Sequence, residues 1–126
     1  MAKILVLDDD TTILEMIATV LEGAGHEVVK VADGWRGLRA SRETPFDLAI
    51  VDIIMPGRDG IETIRSLRRH DPGLRILAIS GDTSGLRAVT NLDAARKLGA
   101  DSSLAKPFGA ADLRRAVGAL LGPAGA

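Results

Sequence analysis

Polar residues able to do chemistry sit where apolar runs stop. Ile4-Leu5-Val6-Leu7 leads into Asp8, Asp9 and Asp10, and Leu48-Ala49-Ile50-Val51 leads into Asp52. Ile76-Leu77-Ala78-Ile79 stops at Ser80, and a shorter run stops at Lys106-Pro107. These are the side chains that a metal ion or a phosphoryl group would want. If the runs are adjacent parallel strands, their polar ends converge at one edge of one sheet and make a site.

The elements that must position them alternate along the chain. Strands are expected at residues 3–7, 27–31, 47–51, 75–79 and 102–105. The first, third and fourth are almost wholly apolar, as in parallel strands covered on both faces. Helical periodicity appears between them: Ile13, Leu14, Ile17, Ala18 and Leu21 in a first helix, Ile61, Ile64 and Leu67 in a third. Leu86, Val89, Leu92, Ala95 and Leu98 mark a fourth, and Leu113, Ala116, Val117 and Leu120 a fifth. A second helix at about 34–43 carries Gly34 and Gly37, which lower its propensity. Thr12 with Glu15, and Asp59 with Glu62, read as capping boxes. Gly23 and Gly25 close the first helix, and Asp71-Pro72-Gly73 the third. Five β/α units imply a doubly wound α/β domain with helices on both faces and a ligand site beyond the carboxyl ends of the strands.

Composition narrows the function classes. The chain has 126 residues, 46% hydrophobic and 2% aromatic, so Leu, Ile, Val and Ala must build its core. It has no cysteine, which excludes disulfides and zinc-thiolate sites. With 16 basic and 17 acidic residues and a formal net charge of -1, no nucleic-acid binding by this domain is expected. No apolar run has membrane length and the N-terminus has no secretory pattern, so a cytoplasmic protein is expected. Arg65, Arg68 and Arg69 read as one solvated helix face, with a partner-docking patch as the alternative, Trp35 as half-exposed, and His26 and His70 as solvated loop histidines. One domain is expected at 1–121, followed by a flexible tail at 122–126.

Taken together, the residues resemble a response-regulator receiver domain. The resemblance runs from Lys3 to Leu121. It rests on Ile4 to Asp9, on Asp52-Ile53-Ile54-Met55-Pro56-Gly57-Arg58-Asp59-Gly60, on Ser80-Gly81 and on Lys106-Pro107-Phe108. It implies a flavodoxin-like sheet of order 2-1-3-4-5 with five helices, and phosphoryl transfer from a phosphohistidine to Asp52. It further implies Mg²⁺, with Mn²⁺ as a substitute, bound by Asp8, Asp9, Asp52 and the backbone carbonyl of Ile54. Lys106 would pair with a phosphoryl oxygen, Ser80 would donate to another, and the Lys106-Pro107 bond would be cis. The donor would be a sensor histidine kinase or a histidine phosphotransfer protein, and a downstream protein target would read the loop and helix after Ser80. Unit charges ~4 Å apart interact by ~4 kcal/mol at an effective dielectric of ~20. Gathered, uncompensated carboxylates would thus cost a large part of a domain's ~5–15 kcal/mol. Asp10, by contrast, reads as a helix cap.

The chain departs from this family in places. Many receivers have an aromatic residue where Ser103 stands, and the chain has no tyrosine. An aromatic rotamer switch therefore cannot operate there. The stretch between Ser80 and Lys106 is longer than usual by about a helical turn (~3.6 residues), and Gly81-Asp82-Thr83-Ser84-Gly85 is rich in turn formers. Apolar Ile54, where the family tunes water access, predicts slow self-dephosphorylation. The competing reading is a haloacid-dehalogenase-type phosphatase, since Asp8, Asp10 and Thr12 match its D-x-D-x-T motif. That reading leaves Asp52 without a role and finds only Asp112 as an acidic residue after Lys106. A flavin-binding protein is disfavoured by the few aromatics, and a receiver that only docks is a further alternative.

Overall fold

The computed structural model describes residues 2–53, 60–80, 97 and 99–122. Five strands lie within them: β1 Lys3–Leu7, β2 Glu27–Val31, β3 Leu48–Asp52, β4 Arg75–Ser80 and β5 Ser102–Ala105. The helices are α1 Thr11–Gly23, α2 Gly34–Glu43, α3 Gly60–His70 and α4 Ala110–Leu121. The helix expected at 86–98, the 81–85 loop with Asp82, the Asp59–Glu62 box, the Ile54 carbonyl and residues 123–126 of the tail fall wholly or partly outside the described residues.

All strand pairs are parallel and the order is β2-β1-β3-β4-β5. Strands β1 and β3 sit in the middle. Ile4 to Leu7 and Leu48 to Val51 have no solvent exposure, which explains their unbroken apolar sequences. Alternate strand residues feed two cores. Leu5, Leu7, Ala49, Val51, Ile76 and Ala78 pack with Leu38, Ile64 and Leu67 of α2 and α3. Ile4, Val6, Leu48, Ile50, Leu77 and Ile79 pack with Leu14, Ile17, Leu21, Leu113 and Val117 of α1 and α4. The sheet is thus a middle layer between two helical ones.

Several local expectations need correction. Strand β3 begins one residue later than expected, and Asp47 works as its lead-in. Its carboxylate accepts from the Lys3 amide at 2.8 Å, and its own amide donates to the Lys3 carbonyl at 2.8 Å. The cap of α1 is Asp10, not Thr12: Asp10 Oδ1 accepts from the Thr12 amide at 2.9 Å and the Ile13 amide at 3.4 Å. Glu15, expected to complete a capping box, pairs instead with Lys30 at 2.7 Å across the α1–β2 surface. A carboxylate at Asp10, just before the helix begins, can reach the second and third amides of the helix, the orphan donors a cap must satisfy. Gly25 has φ 92°, in the left-handed region that glycine enters without a Cβ penalty, and it turns the chain out of α1.

Arg68 is not part of a solvated face. Its guanidinium donates to the carbonyls of Gly99, Pro72 and Leu74 and to Asp101 Oδ2 at 2.7 Å. Asp101 Oδ2 also accepts from the Ile76 amide at 2.8 Å. One planar fork of donors therefore ties the end of α3 to the start of β4 and to the approach to β5. Arg65 and Arg69 are exposed as expected. Trp35 is 65% exposed, more than half.

His26 is also not simply solvated. It is half-buried, and its Nδ1 accepts from the Ala2 amide at 3.1 Å. An accepting Nδ1 must be unprotonated. Burial, the leading cause, holds the imidazole below its ordinary value of 6.5. The unfolded chain then takes up the proton first as pH falls. The stabilising contribution is complete above pH 6.5 and is lost as pH drops through the lower folded value. Thermal melting at pH 7.5 and 5.5 should show a fall in Tm for the native chain, and a smaller fall for His26→Asn, whose amide oxygen accepts the same bond without titrating.

Candidate functional site

The parallel register carries the chemistry to one edge. Leu7 lies opposite Val51, Asp52 opposite Ile79, and Ser80 opposite Ala105. Asp8, Asp9, Asp52, Ser80 and Lys106 therefore all leave the sheet at its carboxyl end. Backbone bonds continue the ladder past the strands: the Asp8 amide donates to Val31 O at 3.2 Å, Ile53 to Ile79 O at 2.9 Å, and Lys106 to Ser80 O at 2.8 Å. The residues of the site are thus fixed to their neighbours before their side chains are considered.

Two glycines let the helices come close enough to finish the edge. A Cβ on Gly60 would lie 2.3 Å from the Asp52 carbonyl oxygen and 2.3 Å from Ile53 Cα. Both are backbone atoms of the turn that follows β3 and cannot give way, so only glycine permits this start of α3. A Cβ on Gly37 would lie 2.1 Å from Cδ2 of Leu7, which seats α2 against the residue preceding Asp8. The presence of a residue of low helix propensity at position 37 is explained by this close approach.

Asp8 has no solvent exposure and Asp52 has 3%. Asp9 is exposed. One carboxylate oxygen from each of Asp8, Asp9 and Asp52 falls within 4.8 Å of the others. Between the two buried acids stands Lys106, whose Nζ donates to Asp8 Oδ2 at 2.6 Å and to Asp52 Oδ2 at 3.3 Å. Asp8 Oδ1 accepts from the Asp10 amide at 2.9 Å. Burial alone would lower the pKa of Lys106. The Asp8 hydrogen bond and the charges of Asp52 and Asp8 outweigh it, and the pKa lies above the ordinary 10.5. The ammonium therefore stays charged.

The lysine does more than the sequence implied. It was expected to meet a phosphoryl oxygen, yet it already bridges two buried carboxylates. Three carboxylates and one ammonium leave two negative charges in excess. The donor set is all oxygen, and the charge deficit is that of one divalent cation, which fits a hard ion such as Mg²⁺. Both Asp8 oxygens already accept one hydrogen bond, Oδ1 from the Asp10 amide and Oδ2 from Lys106. Ser80 is buried at the end of β4, where the sequence placed it. The Lys106-Pro107 peptide is cis. Asp10 is turned to the α1 cap, and the sequence had given it no other role. Ser103 is half-buried in β5 opposite Ala78. His70 is exposed at the end of α3.

Comparison with known proteins agrees with this geometry. The family model for the response regulator receiver domain matches residues 4–118. The chain belongs to the response-regulator receiver family. It is 38% identical over 106 residues to the DNA-binding response regulator MtrA of Mycolicibacterium paratuberculosis, covering 84% of this chain and 45% of MtrA. It is 36% identical over 119 residues to the transcriptional regulatory protein PrrA of Mycobacterium tuberculosis, covering 94% of this chain and 49% of PrrA. The chain thus spans a little under half the length of these curated relatives. Among solved structures, a CheY-like receiver domain protein of Methanospirillum hungatei superposes with TM-score 0.87 at 31% identity, covering 94% of this chain and 92% of that one. Chemotaxis protein CheY4 of Vibrio cholerae superposes with TM-score 0.85 at 31% identity, covering 96% and 99%. The receiver is a signalling domain of two-component systems, and no helix among the described residues is long and apolar enough to cross a membrane.

The bridge makes a stability prediction. Lys106→Ala strands two buried carboxylates without their cation, which should cost about 3–5 kcal/mol in metal-free buffer. Lys106→Ala/Asp8→Asn should recover most of it, because the loss comes from unpaired charge. Urea unfolding of the three proteins checks this; equal stability of the single and double variants would assign the loss to packing.

Proposed function

We propose that Asp52 is the phosphoacceptor of this receiver. The supporting observation is a buried carboxylate at the end of β3 with Lys106 Nζ 3.3 Å away and the oxygens of Asp8 and Asp9 beside it. A carboxylate attacks an anionic phosphoryl group poorly, because the two repel. Asp9, Asp52 and the Ile54 carbonyl, with Asp8 direct or through water, would hold Mg²⁺ or Mn²⁺, which would supply positive charge at that point. The remaining work falls to the chain. Asp52 Oδ attacks phosphorus, a P–O bond forms, and the P–N bond of a phosphohistidine breaks with its electron pair returning to the imidazole. Lys106 is positioned to transfer one hydrogen bond from Asp52 to a phosphoryl oxygen, and the Ser80 hydroxyl to donate to another.

The donor is a sensor histidine kinase or a histidine phosphotransfer protein, the protein is cytoplasmic, and residues 1–121 carry the activity. Two charge-assisted hydrogen bonds of ~1.5–3 kcal/mol each approach the ~5.5 kcal/mol that inverts a 1:99 equilibrium. Ser80 and Lys106 are therefore sufficient to bias the loop and helix after Ser80 toward a downstream protein target. This route needs no aromatic ring at Ser103. The phosphatase alternative requires Asp10 as an acid-base group. Asp10 is instead occupied with the amides of α1, and the family match does not support that reading.

Incubation with acetyl phosphate and Mg²⁺ should add one phosphoryl group by intact mass. Asp52→Ala should abolish the label and Asp10→Ala should retain it; the reverse pattern overturns the assignment. Mg²⁺ should also raise the melting temperature of the native chain by mass action. Asp9→Ala should raise the metal-free Tm slightly by relieving repulsion, and should abolish the Mg²⁺-dependent increment. An intact increment in that variant would remove Asp9 from the metal site.

A further inference from the structure

The charge of this chain is balanced in total but not in space. Helices α2 and α3 lie on the same side of the sheet and pack over one core. Together they carry Arg36, Arg39, Arg42, Arg65, Arg68 and Arg69 against only Glu43 and Glu62. The helices of the opposite side, α1 and α4, carry Glu15, Glu22 and Asp112 against Arg114 and Arg115. Among the described helices, the α2–α3 side is therefore cationic and the α1–α4 side weakly acidic, on a chain whose formal net charge is -1.

The cationic layer also holds an aromatic anchor. Trp35 is the large apolar residue exposed among the described residues. Trp35, Arg39 and Arg42 follow i, i+4, i+7 spacing, so they line one outward stripe of α2. Arg36 and Arg39 have partners, Asp33 and Glu43, but both pairs are solvent-exposed and 3.4 Å long. Exposed pairs of this kind are weak and exchange readily for other carboxylates. Arg42, Arg65 and Arg69 form no ion pair among the described residues. Exposed tryptophan flanked by arginines is the composition of an interface centre. Gly37 presses this helix onto Leu7, next to Asp8, so the stripe is rigidly joined to the strand that enters the acidic site.

We infer that the outward face of α2 and α3 is a docking surface for an acidic protein segment, anchored on Trp35 and held by Arg39, Arg42 and Arg65. Charge complementarity selects the occupant. Arginines at the surface attract a partner's carboxylates over about a Debye length, ~8 Å, so the attraction weakens as salt rises. A long polyanion such as duplex DNA extends beyond the patch and meets a chain of net negative charge, which disfavours it. The arginines and Trp35 are none of the residues of the acidic site, and their use requires neither metal nor phosphorylation.

The chain has one tryptophan, so Trp35 fluorescence reports on the surface directly. Titration of the native chain with a short poly-L-glutamate peptide at low salt should give a saturable change in emission that weakens as salt rises. With a fluorescein-labelled peptide and anisotropy as readout, Arg39→Glu/Arg65→Glu should weaken binding about tenfold, a typical interface-arginine effect. Arg114→Glu/Arg115→Glu, on the opposite layer, should change it by less than about twofold. If melting curves show that the first pair of reversals perturbs the fold, Arg39→Gln/Arg65→Gln is the substitute. The inference is overturned if no saturable binding occurs, if both pairs weaken it equally, or if a duplex oligonucleotide binds as tightly as the peptide.

Discussion

The ammonium of Lys106, set between Asp8 and Asp52, is the interaction on which the rest of the structure depends. Two carboxylates with almost no solvent contact cannot share a sheet edge at tolerable cost without a cation between them. The lysine supplies one positive charge against three negative ones, enough for the fold to close and too little for neutrality. That partial compensation is what gives the edge its chemistry. A fully neutral site would attract no divalent ion, and an uncompensated one would weaken the domain. The same ammonium is already near Asp52, so it needs little movement to meet whatever is bonded to that carboxylate.

The scaffold explains why the balance holds. Strands β1 and β3 are fully buried and end in register, which sets Asp8 and Asp52 side by side. Lys106 arrives from β5, on the far side of β4, because its amide bonds to Ser80 O. Gly60 brings α3 down onto the Asp52 carbonyl, and Gly37 brings α2 onto Leu7. At the opposite end of the strands, Arg68 ties α3, β4 and the approach to β5 with one guanidinium. The edge is thus assembled by backbone ladders and close packing, which bring the buried acids to the place where Lys106 must balance them.

Much of this was legible in the chain itself. Unbroken apolar runs ending in Asp8, Asp52 and Ser80 announced buried parallel strands and a shared edge, because side-chain burial on both faces leaves that signature. Asp10 was readable as a cap and the Gly23–Gly25 stop as a helix end, since both act over one turn. Three interpretations failed for a common reason. Arg68 was read as solvated, His26 as a loop histidine and Thr12 as a cap, but their partners depend on neighbours that local pattern does not rank. Arg68 meets Gly99 and Asp101, which are about thirty residues away. His26 meets Ala2 across the first β/α unit. Asp10 outcompeted Thr12 because it stands just before the first helical residue, Thr11, where its carboxylate reaches the amides of Thr12 and Ile13.

The sequence by itself determined the element types, their alternation and the residue kinds at the strand ends, because hydrophobic periodicity and capping are short-range. Tertiary structure alone decided who neutralises whom. Whether Lys106 faces solvent, a phosphoryl group or two buried acids depends on the crossover that sets β5 beside β4. The division of arginines onto one layer likewise depends on which helices share a side of the sheet. Charges act through space at a few ångströms, and the chain order of those charges carries no information about such distances until the sheet is formed.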